Sequence, residues 1–201
     1  MRGLVARLFP TLVYTIKYEK DMKKEMESIK NFEYAPNGPN NEKTKGHYIL
    51  NRPELKNIND FIKENLKYFL DEVLLVEDNL IVTQSWINRN EKGMSHPSHK
   101  HPNSMVSGVF YFNNTDSSPI TFTKFDDWGI SFNHKDKDSP DLRTAALVAD
   151  SGVLALFPSS LSHYVPINTS DEARISLSFN TFAKDFLGNK DSLTYVDFRK
   201  D

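Results

Sequence analysis

The hydrophobic pattern changes period near residue 78, and that change restricts the chain to folds that pack helices against antiparallel sheet. Within 54–75, Leu55, Ile58, Phe61, Ile62, Leu66, Phe69, Leu70, Val73 and Leu74 trace one broad apolar stripe at helical spacing, with Pro53 near the first turn. A shorter amphipathic helix is expected from Asp21 onward, where Met22, Met26 and Ile29 share a face and Lys23, Lys24, Glu25 and Glu27 fill the solvent side. The polar, turn-rich run 31–46 reads as the connection between the two. Beyond Asp78, segments 79–90 and 105–113 are rich in β-branched and aromatic residues and bounded by Gly, Pro and Asn, so strands are expected there. Further short strands are expected at 120–125, 129–132, 143–148, 152–157, 163–167 and 173–182, separated by turn signals such as NNTDSSP and NHKDKDSP. A helical first third followed by many short strands predicts a mostly β sandwich or barrel with N-terminal helices layered on one sheet.

Length and composition fit that reading. The 201 residues suit a single domain, and 14 Phe, 8 Tyr and 2 Trp supply the area for a core. The expected division is a helical part at 1–78, a β core at 79–182 and a polar extension at 183–201. No run approaches the ~18–20 apolar residues of a membrane span. The stretch 3–9 is broken by Arg7 and ended by Pro10, so no membrane partner is expected and a cytoplasmic setting is. With no cysteine, thiolate metal sites, disulfides and a cysteine nucleophile are excluded, leaving His and carboxylates as the plausible metal ligands. A net charge of −2 offers no long-range field for phosphates or anionic lipid, which argues against nucleic acid as a partner.

Four histidines need weighing together: His96, His99 and His101 in GMSHPSHKHP, and His163 in FPSSLSHYVP. If 98–102 is extended, His99 and His101 project to one side with Cα atoms about 6–7 Å apart, a separation from which two imidazoles can converge on one ion. His163, brought alongside by a barrel, would supply a third imidazole and leave coordination positions open. The competing reading is a solvated loop with incidental histidines. Along 173–180, strict alternation puts Arg174, Ser176, Ser178 and Asn180 on one face and Ile175, Leu177 and Phe179 on the other. The polar face is either solvent-facing or a carboxylate clamp built from a guanidinium fork and a hydroxyl. Gly108, inside SGVFYF, marks a bulge or a close backbone approach.

The stretch 86–113 (WINRNEKGMSHPSHKHPNSMVSGVFYFN), with GVLALFPSSLSHYVP and ARISLSFN, resembles the iron(II)/2-oxoglutarate-dependent oxygenases of bacteria and phages, and the similarity extends to the prolyl-hydroxylase type. It covers roughly 80–182, with a weaker echo at 8–11. The resemblance implies a double-stranded β-helix, or jelly roll, with iron(II) as cofactor and 2-oxoglutarate as co-substrate. It further implies hydroxylation of a C–H bond in a small-molecule or amino-acid side-chain substrate, with release of succinate and carbon dioxide. Carried over position by position, the metal residues are His99 and His163, and Arg174 binds the distal carboxylate with Ser176 beside it. Tyr111 assists that carboxylate and Asn88 is a further co-substrate contact, while Trp86 is either a pocket wall or core.

One departure is plain: where the family pattern holds Asp or Glu, this chain has His101. Either His101 ligates as a third imidazole, which is the expectation adopted, or water or a remote carboxylate such as Asp126 or Asp127 completes the site, or His96 replaces one of the assumed pair. The rival resemblance is to three-histidine cupins, which share the barrel and use no oxoacid, but the RxS clamp after His163 and the N-terminal helices match the oxygenases better. A non-catalytic jelly-roll binding module is the third alternative. A monomer or homodimer is expected, with loops 113–119, 124–127 and 133–140 rimming the mouth.

Overall fold

The computed structural model, which describes residues 10–114, 116–124 and 143–199, packs an outer helical layer against two antiparallel sheets. The elements in chain order are β1 (Tyr14–Lys17), α1 (Lys23–Lys30), β2 (Tyr34–Pro36), β3 (Glu42–Thr44), α2 (Lys56–Tyr68), β4 (Leu80–Asn90), β5 (His96–His99), β6 (Val106–Tyr111), β7 (Ile120–Thr123), β8 (Thr144–Leu147), β9 (Val153–Pro158), β10 (Ser162–Val165), β11 (Arg174–Ala183), β12 (Phe186–Leu187) and β13 (Val196–Asp197). The larger sheet runs β1-β9-β6-β11-β4-β3-β2, the smaller β5-β10-β7-β8, and β12 and β13 form a separate hairpin. This is the expected mostly β jelly roll with N-terminal helices.

Strand parity sorts the core into two layers. Ile87, Phe110, Phe112, Leu154, Leu156, Leu177 and Phe179 leave the large sheet on the side where the α2 stripe, Ile58, Ile62 and Leu66, packs with Phe69 and Leu70. The opposite parity, Val109, Tyr111, Ala155 and Phe157, meets Ile120 and Phe122 of the small sheet. Each strand of the large sheet thus has one helix-facing and one sheet-facing row, and the row facing the small sheet carries the polar residues of β11. Gly108 lies opposite Phe179, and a Cβ added there would fall 2.0 Å from the Phe179 ring. The glycine is therefore a close-approach position rather than a bulge.

The predicted long helix is present but not uniform. Pro53–Leu55 forms a 3₁₀ turn, α2 follows, and a π-helical turn Phe69–Leu74 ends at Leu75 in the left-handed region. The first third is not purely helical. β1 pairs with β9, and the stretch 31–46, expected as a connection, contains the β2–β3 hairpin, which docks on β4 through Glu42–Arg89 and Lys43–Asn88. These strands are three and four residues long, too short for alternation to declare itself. The strand expected at 129–132 lies outside the described residues.

Candidate metal centre

β5 and β10 pair antiparallel with His163 directly opposite His99. His101 follows just past the end of β5, its backbone N–H donating to Ser159 O at 3.0 Å. The local sequence explains the convergence, since an extended HxH keeps both rings on one side and Pro158 ends β9 so that the chain turns back into β10. His99 and His101 approach with Nε2 atoms 3.2 Å apart. The His99, His101 and His163 rings together offer ligand atoms all within 4.8 Å of one another.

The far nitrogen of each ring faces a carbonyl. Nδ1 of His99 lies 2.9 Å from Pro97 O, Nδ1 of His163 2.9 Å from Leu161 O, and Nδ1 of His101 2.6 Å from Asn180 Oδ1. A carbonyl oxygen only accepts, so each Nδ1 carries the proton and each Nε2 keeps a bare lone pair, the tautomer a metal requires. Burial holds the rings neutral. It lowers His163 to about 3, against a rise from the bond to Leu161 O, and lowers His99 and His101 in the same direction.

His96, at the start of β5, packs tilted against His99, with ring centroids 4.3 Å apart, and lines the same pocket. Its pKa falls to about 4 through burial and then the neighbouring His99. It does not share the ligand-distance group of the other three. Asp126 and Asp127, the remote carboxylates considered from sequence, lie outside the described residues, as do most of the expected mouth loops. Among the described residues, no Asp or Glu lines this pocket.

Three members of the polar row of β11, Arg174, Ser176 and Ser178, line the pocket and do not face solvent. Arg174 is 4 % exposed, donating from Nε to Ser118 O and from Nη1 to Ser176 Oγ, both at 3.0 Å. Its guanidinium carbon sits 5.3 Å from the Tyr111 ring centroid, and no ion pair to it occurs among the described residues. Around this cation the Tyr111 hydroxyl, the Ser118 hydroxyl and the Asn90 amide nitrogen are buried with no hydrogen-bond partner. Asn90 and Arg174 are register partners on β4 and β11, as are Tyr111 and Ser176 on β6 and β11. Burial pushes the Tyr111 hydroxyl up to about 12, and Arg174 pulls the other way, so the phenol stays a hydrogen donor. A buried cation with no anion and three orphaned polar groups costs several kcal/mol unless a ligand compensates it. The corner has the chemistry of a carboxylate receptor.

Asn88 and Trp86 both line the pocket. Asn88 faces the pocket, but its amide is already engaged, accepting from Trp86 Nε1 at 3.2 Å and donating to Ser178 Oγ at 2.9 Å. Its neighbour two residues on, Asn90, has the free donor, which sequence reasoning passed over although both lie on the same strand face. Trp86 is pocket wall and not core, stacking at 6.0 Å on the His101 ring. Asn180 was recognised only as a member of the polar face, and Ser118 was not singled out.

Residues 84–180 match the family described as "Putative 2OG-Fe(II) oxygenase". No curated protein sequence matches the chain. Among solved structures, the fold is similar to HygX from Streptomyces hygroscopicus with nickel, 2-oxoglutarate and hygromycin B bound, at TM-score 0.63 and 12% identity over 85% of this chain and 82% of that one. It is similar also to SnoN, a non-heme alpha ketoglutarate dependent epimerase from nogalamycin biosynthesis, at TM-score 0.63 and 11% identity over 85% of this chain and 78% of that one. An oxidoreductase of the 2OG-Fe(II) oxygenase family from Burkholderia pseudomallei gives TM-score 0.56 and 12% identity over 78% and 75% of the two chains. At such identities the shared property is the fold.

Proposed function

We propose, from the premise that this chain belongs through residues 84–180 to the 2OG-Fe(II) oxygenase family, that His99, His101 and His163 hold the iron while Arg174, Ser176 and Tyr111 hold the distal carboxylate of 2-oxoglutarate. The proposed reaction is oxidation of a C–H bond in a small-molecule or amino-acid side-chain substrate, coupled to release of succinate and carbon dioxide. The observation that carries it is the buried Arg174 without an anion, set in one pocket with three neutral imidazoles of matching tautomer. A cupin-type site that takes no dianion would leave that guanidinium uncompensated.

The residues present fit both groups. Iron(II) held by the three imidazoles would, with 2-oxoglutarate and dioxygen, supply the oxidising chemistry. The protein's part is positional. Pro97, Leu161 and Asn180 fix the three ring tautomers, and the remaining donor capacity of Arg174 with the Tyr111 hydroxyl anchors the far carboxylate, so the co-substrate is oriented before anything reacts. Val109, Ile120, Phe157 and Val165 line the space between as apolar walls that exclude water. With His101 in place of a carboxylate the three ligands are neutral, so the metal keeps its full charge toward the oxoacid dianion.

The test is the co-substrate affinity of Arg174→Ala, measured in the iron-loaded protein without oxygen. Loss of a desolvated charged pair predicts weakening by about 2–5 kcal/mol. Pyruvate, which has the keto-acid end without the distal carboxylate, should bind wild type and variant alike. Equal 2-oxoglutarate affinity in the two proteins would remove the clamp from the proposal.

A further inference from the structure

We infer that Asn180 is the positioning residue that makes His101 a metal ligand, an inference that rests on the three-histidine reading above. His99 and His163 have their Nδ1 protons held by backbone carbonyls, which are present whatever the sequence. His101 alone relies on a side chain, the Asn180 amide oxygen at 2.6 Å. Were that amide turned so that its NH₂ faced the ring, Nδ1 would have to accept, the proton would move to Nε2, and the ring could not ligate through that atom.

The surroundings fix the amide in the useful orientation. Ser107 Oγ donates to the same Asn180 oxygen at 3.1 Å. Ser107 then meets Ser159 Oγ at 2.8 Å, and Ser159 meets Ser104 Oγ at 2.7 Å, a chain that ends on the Thr181 backbone N–H, which donates to Ser104 Oγ at 3.2 Å. Ser107, Ser159 and Thr181 are buried, so these bonds have little competition from water. The backbone contributes too, because the β11–β4 pairing shifts register directly after Asn180, the kind of irregularity that re-aims a side chain. The same serine loop grips His101 through its own N–H on Ser159 O, and Trp86 lies flat against the ring. Ring plane, ring position and tautomer of His101 are each set by a different contact, and Asn180 sets the tautomer.

The experiment uses the full chain, stripped of metal and titrated with cobalt(II) alone. Asn180→Leu should weaken cobalt(II) binding about 10- to 100-fold, the usual cost of losing a partner behind a ligating histidine. In a His101→Ala background the same change should cost less than about threefold, because the ring it serves is gone. Cobalt-bound wild type should show three exchangeable, hyperfine-shifted ring N–H resonances. Asn180→Leu should lose one of them and keep two, a change that general loosening of the fold would not produce. Asn180→Asp, which still accepts from Nδ1, should retain all three and bind at least as tightly as wild type. An equal loss in both backgrounds, three retained resonances in Asn180→Leu, or weaker binding in Asn180→Asp would each overturn the inference while leaving the histidine site standing. If His101→Ala itself binds cobalt(II) as wild type does, the three-histidine reading fails and this inference fails with it.

Discussion

His163 and His96 carry the largest electrostatic consequence at the residue scale, because each sits neutral where water cannot easily solvate a proton. Their folded pKa values, about 3 and about 4, lie below the ordinary histidine value, so between roughly pH 6.5 and 4 the unfolded chain binds protons that the folded chain refuses. Stability of the metal-free protein should therefore be full above about pH 6.5 and fall as pH drops through this window, opposite in sign to a histidine stabilised by an acidic partner. Urea midpoints of the metal-free protein at pH 7, 6 and 5 check it. A steady decline is expected, and a constant midpoint would mean that these rings are more open to water than their burial indicates. Arg174 belongs to the same scale. Its guanidinium is tolerated in the interior because Ser118 O and Ser176 Oγ take two donors, and in the proposed reading its remaining donors meet 2-oxoglutarate. From the sequence, Arg174 and Ser176 were legible through alternation and Tyr111 through resemblance. Asn90, Asn180 and Ser118 were not, since an Asn or Ser on a polar strand face looks the same whether its amide or hydroxyl is engaged, orphaned or orienting a ligand.

At the scale of elements, what the sequence disclosed depended on length and parity. The stripe of α2 and the alternation of β4, β6, β9 and β11 were readable because each buries an uninterrupted row for several residues. β1, β2 and β3 are short pieces at the two margins of the large sheet, and β5 is read from HPSH, where histidines and proline hide the strand signal. Tertiary pairing, not local propensity, makes them strands. The pairing of β6 with β11 offers a direct test of packing. Phe179 fills the space above Gly108 so closely that a methyl group there would meet three of its ring carbons at 2.0–2.7 Å. Gly108→Ala should cost about 1–3 kcal/mol of stability by overpacking, read from chemical denaturation. Adding Phe179→Leu should recover part of that loss. If Gly108→Ala is as stable as wild type, the ring has room to move and the close approach is not a constraint.

In the whole molecule, the two sheets divide the work. The small sheet and the loop after β5 bring the three imidazoles together, while the large sheet carries Arg174 and Ser176 into the same pocket, with the Tyr111 ring against Arg174. A dicarboxylate that chelates a metal at one end and meets the guanidinium at the other would tie the sheets across the core between them, and neither sheet alone could bind it. Among the described residues, no residue of α1 or α2 lines the pocket; the helical layer covers the outer apolar row of the large sheet. The most direct measurement is an anaerobic titration of the metal-free protein with iron(II) and then 2-oxoglutarate, followed by visible absorption. A weak charge-transfer band should grow to saturation at one iron and one oxoacid per chain and should be absent from His163→Ala. No oxoacid-dependent band in the wild type, or an undiminished band in His163→Ala, would contradict the account.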